Sequence, residues 1–247
     1  MFESQRSSIP IDTRHMFAQK GSLGLLRPNN FKCALLALSI GAAGAVSAQS
    51  VYPDNSSPTV QQFNSTSGEY QKREYLAALM RTNESSVQSA PAKAVSDNLS
   101  SILSAALTED SPIVVEQAMN VIGAQHQTSF VNQLLLTYAN ADKRFGGYGE
   151  RVRLAAISTL GAIGGHDASP LFADILSKEK ASVLAEKTLL AIQAAGDKSL
   201  ARDVDNFAQK MNAIVDLGKK SGSNPLLYSQ AMNIAQLAGI VLLNLSK

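Results

Sequence analysis

Residues 149–196, GERVRLAAISTLGAIGGHDASPLFADILSKEKASVLAEKTLLAIQAAG, read as a helix, a glycine turn, a second helix, a short polar connector and the first helix again. Val152, Ala156 and Leu160 fall on one helical face, and Leu171, Ile175 and Leu176 on another. A helix–turn–helix that returns to its own beginning within 48 residues predicts stacked helical hairpins, since one hairpin cannot bury its apolar face alone.

The pattern extends in both directions. Upstream, Val114, Ala118, Ile122 and Gly123 match Val152, Ala156, Leu160 and Gly161 at an offset of 38. The second helices align at 40, with Val131, Leu135 and Leu136 on Leu171, Ile175 and Leu176. Downstream by 32, Leu184, Thr188, Ile192 and Ala195-Gly196 restate the first helix, and Leu200 and Val204 echo Leu171 and Ile175. Ser111-Pro112, Ser169-Pro170, Asp197 and Asn224-Pro225 are helix-opening signals, while Gly123, Gly164-Gly165 and Gly196 can close helices in the left-handed conformation. Ala94–Leu107 supplies a further amphipathic helix, Ser199–Lys219 a long one, and Pro225–Leu245 a very apolar last one. That last helix is expected to cap the stack, with Asn233, Gln236 and Asn244 interrupting what otherwise resembles a membrane segment.

Val152-Arg153-Leu154-Ala155-Ala156-Ile157-Ser158-Thr159-Leu160-Gly161-Ala162-Ile163-Gly164 resembles the first-helix signature of HEAT and HEAT-like repeats, including the short type of phycobilisome-lyase relatives. The likeness is strongest over 149–196 and weaker over 111–148, where Val115 replaces Arg153; Ala185 replaces it in the next copy. The resemblance implies an all-α, α-solenoid domain over 93–247 whose surface binds another macromolecule. It carries no implication of lyase chemistry.

Ahead of the helices the composition changes. Cys33–Ala48, CALLALSIGAAGAVSA, follows Arg27 and Lys32 and ends in Val46-Ser47-Ala48. This is the form of a secretory signal with an extended basic leader over 1–48 and a cut before Gln49; Met16 offers a second start. Past that cut the chain contains no cysteine, which removes thiol catalysis, thiolate ligation and disulfides together. Residues 49–92 are rich in Ser, Asn, Thr, Gln and Pro; up to Gly68 they read as extended or disordered, a linker with one possible helix over Glu69–Arg81.

The formal charge of +2 conceals the balance of the expected mature chain. Five of the 22 basic and two of the 20 acidic residues precede Ala48, leaving 17 against 18. No basic footprint for nucleic acid remains. His15, His126 and His166 form no metal-binding spacing; the latter two sit in corresponding turns, as solvated residues or as a weak paired site. No catalytic, cofactor-binding or metal-binding residues are expected. One connector stands out: Asn140–Glu150, a glycine-rich insertion bearing Lys143, Arg144, Phe145 and Tyr148, two cations and two aromatics of the kind found at recognition surfaces. The expectation is therefore a non-catalytic scaffold, periplasmic or secreted in a bacterial envelope, that binds a protein partner and spans no membrane once the signal is cut. The alternatives are an accessory subunit of an envelope hydrolase or lyase, and a structural protein that self-associates end to end.

Overall fold

The computed structural model describes residues 59–85 and 92–247. The chain divides into two units, Met1–Ala48 and Gln49–Lys247, and the described residues all belong to the second. The expected export signal, its cut after Ala48, Met16 and His15 lie outside the described residues.

Ten α-helices are described: α1 (Val60–Ser65), α2 (Glu69–Ser85), α3 (Ala92–Leu107), α4 (Pro112–Ala124), α5 (Val131–Phe145), α6 (Gly149–Ile163), α7 (Ser169–Lys178), α8 (Val183–Ala195), α9 (Ala201–Lys220) and α10 (Pro225–Leu245). Single 3-10 turns at Thr128–Phe130, Gly146–Tyr148, His166–Ala168 and Lys198–Leu200 lead into α5, α6, α7 and α9. No strand occurs among the described residues, so the fold is all-α there. Among them, too, no helix is long and apolar enough to cross a membrane.

Alternate helices form a row: α2 packs on α4, α4 on α6, α6 on α8 and α8 on α10. The helices between them, α3, α5, α7 and α9, each pack on the row helix that follows. The core lies between these two layers. Val114, Ala118, Met119 and Ile122 of α4 are buried, and so are Val152, Ala156, Ile157 and Leu160 of α6. Thr188, Leu189 and Ile192 of α8 continue the same positions, with Leu184 half-buried. The offsets of 38 and 32 expected for the first helices thus describe the packing of α4, α6 and α8.

The second helices depart from the expected offset of 40. Three 3-10 turns start at Thr128, His166 and Lys198, again 38 and then 32 residues apart, and each ends on a buried residue: Phe130, Ala168 and Leu200. Leu134, Phe172 and Val204 then share one buried position, and Thr137, Ile175 and Phe207 the next. Leu136, expected to match buried Leu176, is 64% exposed. The turn decides the register, because its last residue seats the entering chain against the core before the helix starts.

Helix ends follow local chemistry. Ser111 accepts from the Val114 amide at 3.4 Å with Pro112 opening α4, and Asn224 caps α10 through the Leu226 amide at 3.0 Å. Gly123 does not close α4; it is buried within the helix, and the left-handed position is taken by His126 (φ 49°). Gly164 (φ 75°) and Gly196 (φ 66°) occupy the corresponding place after α6 and α8.

The extended reading of residues up to Gly68 also gives way where the structure describes them. Thr59 and Gln62 form a reciprocal capping box at the start of α1, with bonds of 3.2 and 3.0 Å. Phe63 is fully buried, its ring tilted at 5.9 Å to that of Tyr75, whose hydroxyl donates to the Thr59 carbonyl at 3.2 Å. In α2, Tyr75, Leu76 and Leu79 are buried while Tyr70 is 68% exposed. At the other end α10 covers α9 and α8 through Ala231, Ile234, Ala238, Val241 and Leu245.

Candidate functional site

The connector singled out in the sequence is shorter than the spacing predicts. Helix α5 continues through Lys143, Arg144 and Phe145, where cations suit the negative end of the helix dipole. Only Gly146–Tyr148 then separates it from α6. Gly149 opens α6 directly against α5: a Cβ there would lie 2.7 Å from the Asp142 Cα. One turn later Arg153 donates to the Asp142 carboxylate and fastens the same two helices. Arg153 therefore serves the hairpin.

The four residues expected to form a recognition surface fall into two pairs. Arg144 donates to the carbonyls of Leu107 at 3.1 Å and Glu109 at 2.9 Å, so its guanidinium joins α5 to the end of α3. The same guanidinium stands 4.7 Å from the centroid of the Phe145 ring, and Phe145 is buried in the core. Lys143 is exposed at the surface, and Tyr148 is 60% exposed. Lys210 repeats the Arg144 brace two stages on, joining α9 to the end of α7 by donating to the carbonyls of Ser177 and Glu179 at 3.1 and 2.6 Å.

The exposed side of α5 adds a residue that the sequence reading assigned to the core. Leu136, Asn140 and Lys143 follow one another at four and three residues along one face, all exposed. Asn140 is turned back on the helix, donating to the Leu136 carbonyl at 2.9 Å. Leu136 is thereby left as an exposed aliphatic group two turns before Lys143, with Tyr148 beyond the end of the helix. The signal for Leu136 was present: aligning the chain on Phe130 and Ala168 places it outside. On the opposite side, burial raises the pKa of the Tyr138 phenol; Arg153 opposes this, and Glu179, Asp174 and Asp142 add to it. Tyr138 accordingly stays neutral across the ordinary pH range.

A second polar cluster links the turns. His126 bonds through Nδ1 to the Ala162 carbonyl at 2.8 Å, and His166 through Nδ1 to Asp197 at 3.0 Å. Each histidine thus reaches from its own turn to the following unit, His126 to the last turn of α6 and His166 to the turn before α9. Asp197 also accepts from the Ser199 amide at 2.9 Å, the Ser199 hydroxyl at 2.7 Å and the Ser169 hydroxyl. Burial acts to raise its pKa, but the bonds from Ser169, Ser199 and His166 outweigh it and hold the carboxyl down at about 2. Ser, His and Asp here do not form a nucleophile relay. Both serines donate to the carboxylate, whereas a relay needs the hydroxyl on the imidazole nitrogen remote from it. Among the described residues no group of three or more His, Cys, Asp or Glu could hold a metal ion.

An open groove between α3 and the start of α5 is lined by Ser100, Ser104, Thr108, Ser129 and Gln133. Gln133 donates across it to the Ser104 carbonyl at 3.3 Å. Its lining carries no charge, so the exposed Leu136–Lys143 face with Tyr148 is the stronger candidate. Comparison with protein-family models, with curated proteins and with solved structures finds no match to this chain.

Proposed function

We propose that the protein is an exported, HEAT-like α-solenoid that acts as a non-catalytic scaffold, binding another protein in a bacterial envelope. The row of packed helices with recurring buried positions supports the solenoid reading, alongside the resemblance of residues 152–164 to a HEAT first helix. The apolar run before Ala48 and the cysteine-free remainder support export. One observation carries the binding reading: Leu136, Lys143 and Tyr148 present aliphatic, cationic and aromatic groups at the α5–α6 edge, and none of the three is needed to fill the core. Such a combination suits a protein surface with an apolar anchor point and a carboxylate rim.

Crosslinking and affinity capture from the native envelope test this. The Leu136→Ser, Lys143→Ala and Tyr148→Ala triple variant should lose the captured protein and keep the unfolding temperature of the parent. Undiminished capture by the triple variant would reject the edge as the binding surface. Mass spectrometry of the exported chain should find Gln49 at its N-terminus.

A further inference from the structure

Helix α10 ends the row formed by α2, α4, α6 and α8. Its inner flank is buried against α9 and α8, but its outer flank is not that of a solvent-facing cap. Terminal elements of stacked helices ordinarily turn a polar face outward. The 21 residues of α10 include no charged side chain. Met232, Ile240 and Leu243 are 38%, 52% and 65% exposed.

The spacing on that flank is ordered. Met232, Gln236, Gly239 and Leu243 follow one another at four, three and four residues, the alternation of a helix–helix seam. Gly239 lies in the middle of the helix, where glycine costs about 1 kcal/mol relative to alanine. A Cβ at Gly239 would meet nothing within 4 Å, so contacts inside this chain do not account for the glycine. It leaves bare backbone in the seam, where a second helix could approach closely.

We propose that this face is covered by α10 of a second copy of the chain, running antiparallel across a two-fold axis between Gln236 and Gly239. That register places Met232 of each copy against Leu243 of the other. Gln236 then lies over the backbone at Gly239, and the two Gln236 amides flank the axis, each able to donate to and accept from its mate. Large residues meet large ones, and the only polar residue of the seam lies over glycine with its own mate within reach across the axis. A self-complementary patch is what a two-fold interface requires. The absence of charge favours this occupant over the opposite end of the row, since α2 carries the exposed Arg73, whose charge would lose water against an uncharged face. Antiparallel pairing also sets the helix dipoles in the favourable sense.

The test uses the full chain. Light scattering and sedimentation should give a mass that rises from monomer to dimer with concentration and goes no higher. Leu243→Glu should weaken the dimer by roughly tenfold or more, and Gly239→Leu should do the same by filling the close approach. Both positions face outward, so the helical signal and unfolding temperature should stay within reach of the parent. Orientation is read by disulfide formation in the Cys33→Ser background. Chains carrying Met232→Cys should crosslink to chains carrying Leu243→Cys, and neither should crosslink to itself. A monomer at every concentration, a dimer insensitive to both substitutions, or crosslinking between like chains would each overturn the proposal. So would a monomer that binds lipid vesicles through Leu243.

Discussion

Gly161 of α6 lies against Ala191 of α8, so closely that a methyl group on the glycine would stand 2.5 Å from the Ala191 Cα and 2.8 Å from its carbonyl oxygen. The obstructing atoms are mostly backbone, so the row would have to separate to admit a side chain. Gly161→Ala should cost about 1–3 kcal/mol as an overpacked core position. Gly123, one unit earlier, faces the same kind of neighbour but at ordinary contact distances of 3.5–3.7 Å from Ala162 and Thr159. Gly123→Ala should be neutral or stabilise by up to about 1 kcal/mol through helix propensity. Chemical denaturation of the two variants checks the contrast; equal effects would contradict the packing.

That difference bears on what could be read in the chain. The row helices are legible because their inward residues are mostly aliphatic and recur at 38 and 32 residues: Val114, Val152 and Leu184 announce themselves. The intervening helices are not, because the inward positions of α5 include Thr137 and Ala141 while Leu136 points to water. Counting apolar residues therefore slides the alignment by two. Helix α1 was hidden for a related reason: one buried aromatic and a Thr–Gln capping box hold it, and its remaining residues are polar or half-buried. For the candidate site, the cations and aromatics were visible, but their sequence neighbourhood gave no means of separating Arg144 and Phe145, held in the scaffold, from Lys143 and Tyr148.

Arg144 and Lys143 should accordingly behave as opposites. Arg144→Ala removes two charge-assisted bonds to the carbonyls of Leu107 and Glu109 and the packing over Phe145. A loss of about 1–3 kcal/mol is expected, typical of bonds to a charged group. Lys143→Ala, at an exposed position, should fall within about 0.5 kcal/mol of the parent. Arg144→Lys should recover most of the loss, because a single nitrogen, Nη2, makes both bonds and the Lys210 ammonium already spans an equivalent pair of carbonyls.

Phe63 gives a local rather than a global prediction. It is the only buried residue of α1, and Phe63→Ala should cost that segment about 3–5 kcal/mol. A six-residue helix has little stability of its own. Helix α1 should therefore detach while the remaining helices keep their cooperative unfolding. Amide hydrogen exchange should show faster exchange over residues 60–66 with protection in α6 unchanged. A matching loss of protection in both regions would show that α1 belongs to the core cooperative unit.

Asp197 ties stability to pH in a direction its surroundings determine. Its carboxyl is held at about 2 in the folded chain against an ordinary 3.8, so the folded state favours the ionised form. The contribution is complete above the ordinary value, and it is lost as pH falls from about 4 through about 2. With the side chain only 3% exposed, the gap of nearly two units corresponds to about 2 kcal/mol. Asp197→Asn keeps the shape and removes the charge, so it should destabilise by about that amount at pH 6. The difference between parent and variant should shrink towards zero below pH 2. His166→Ala should have a smaller effect, since its ring is 80% exposed and contributes one of several bonds to the carboxylate. Urea unfolding at a series of pH values separates these cases. A parent–variant difference that stays constant from pH 6 to pH 2 would show that the Asp197 carboxylate is not what fastens the turn before α7 to the turn before α9.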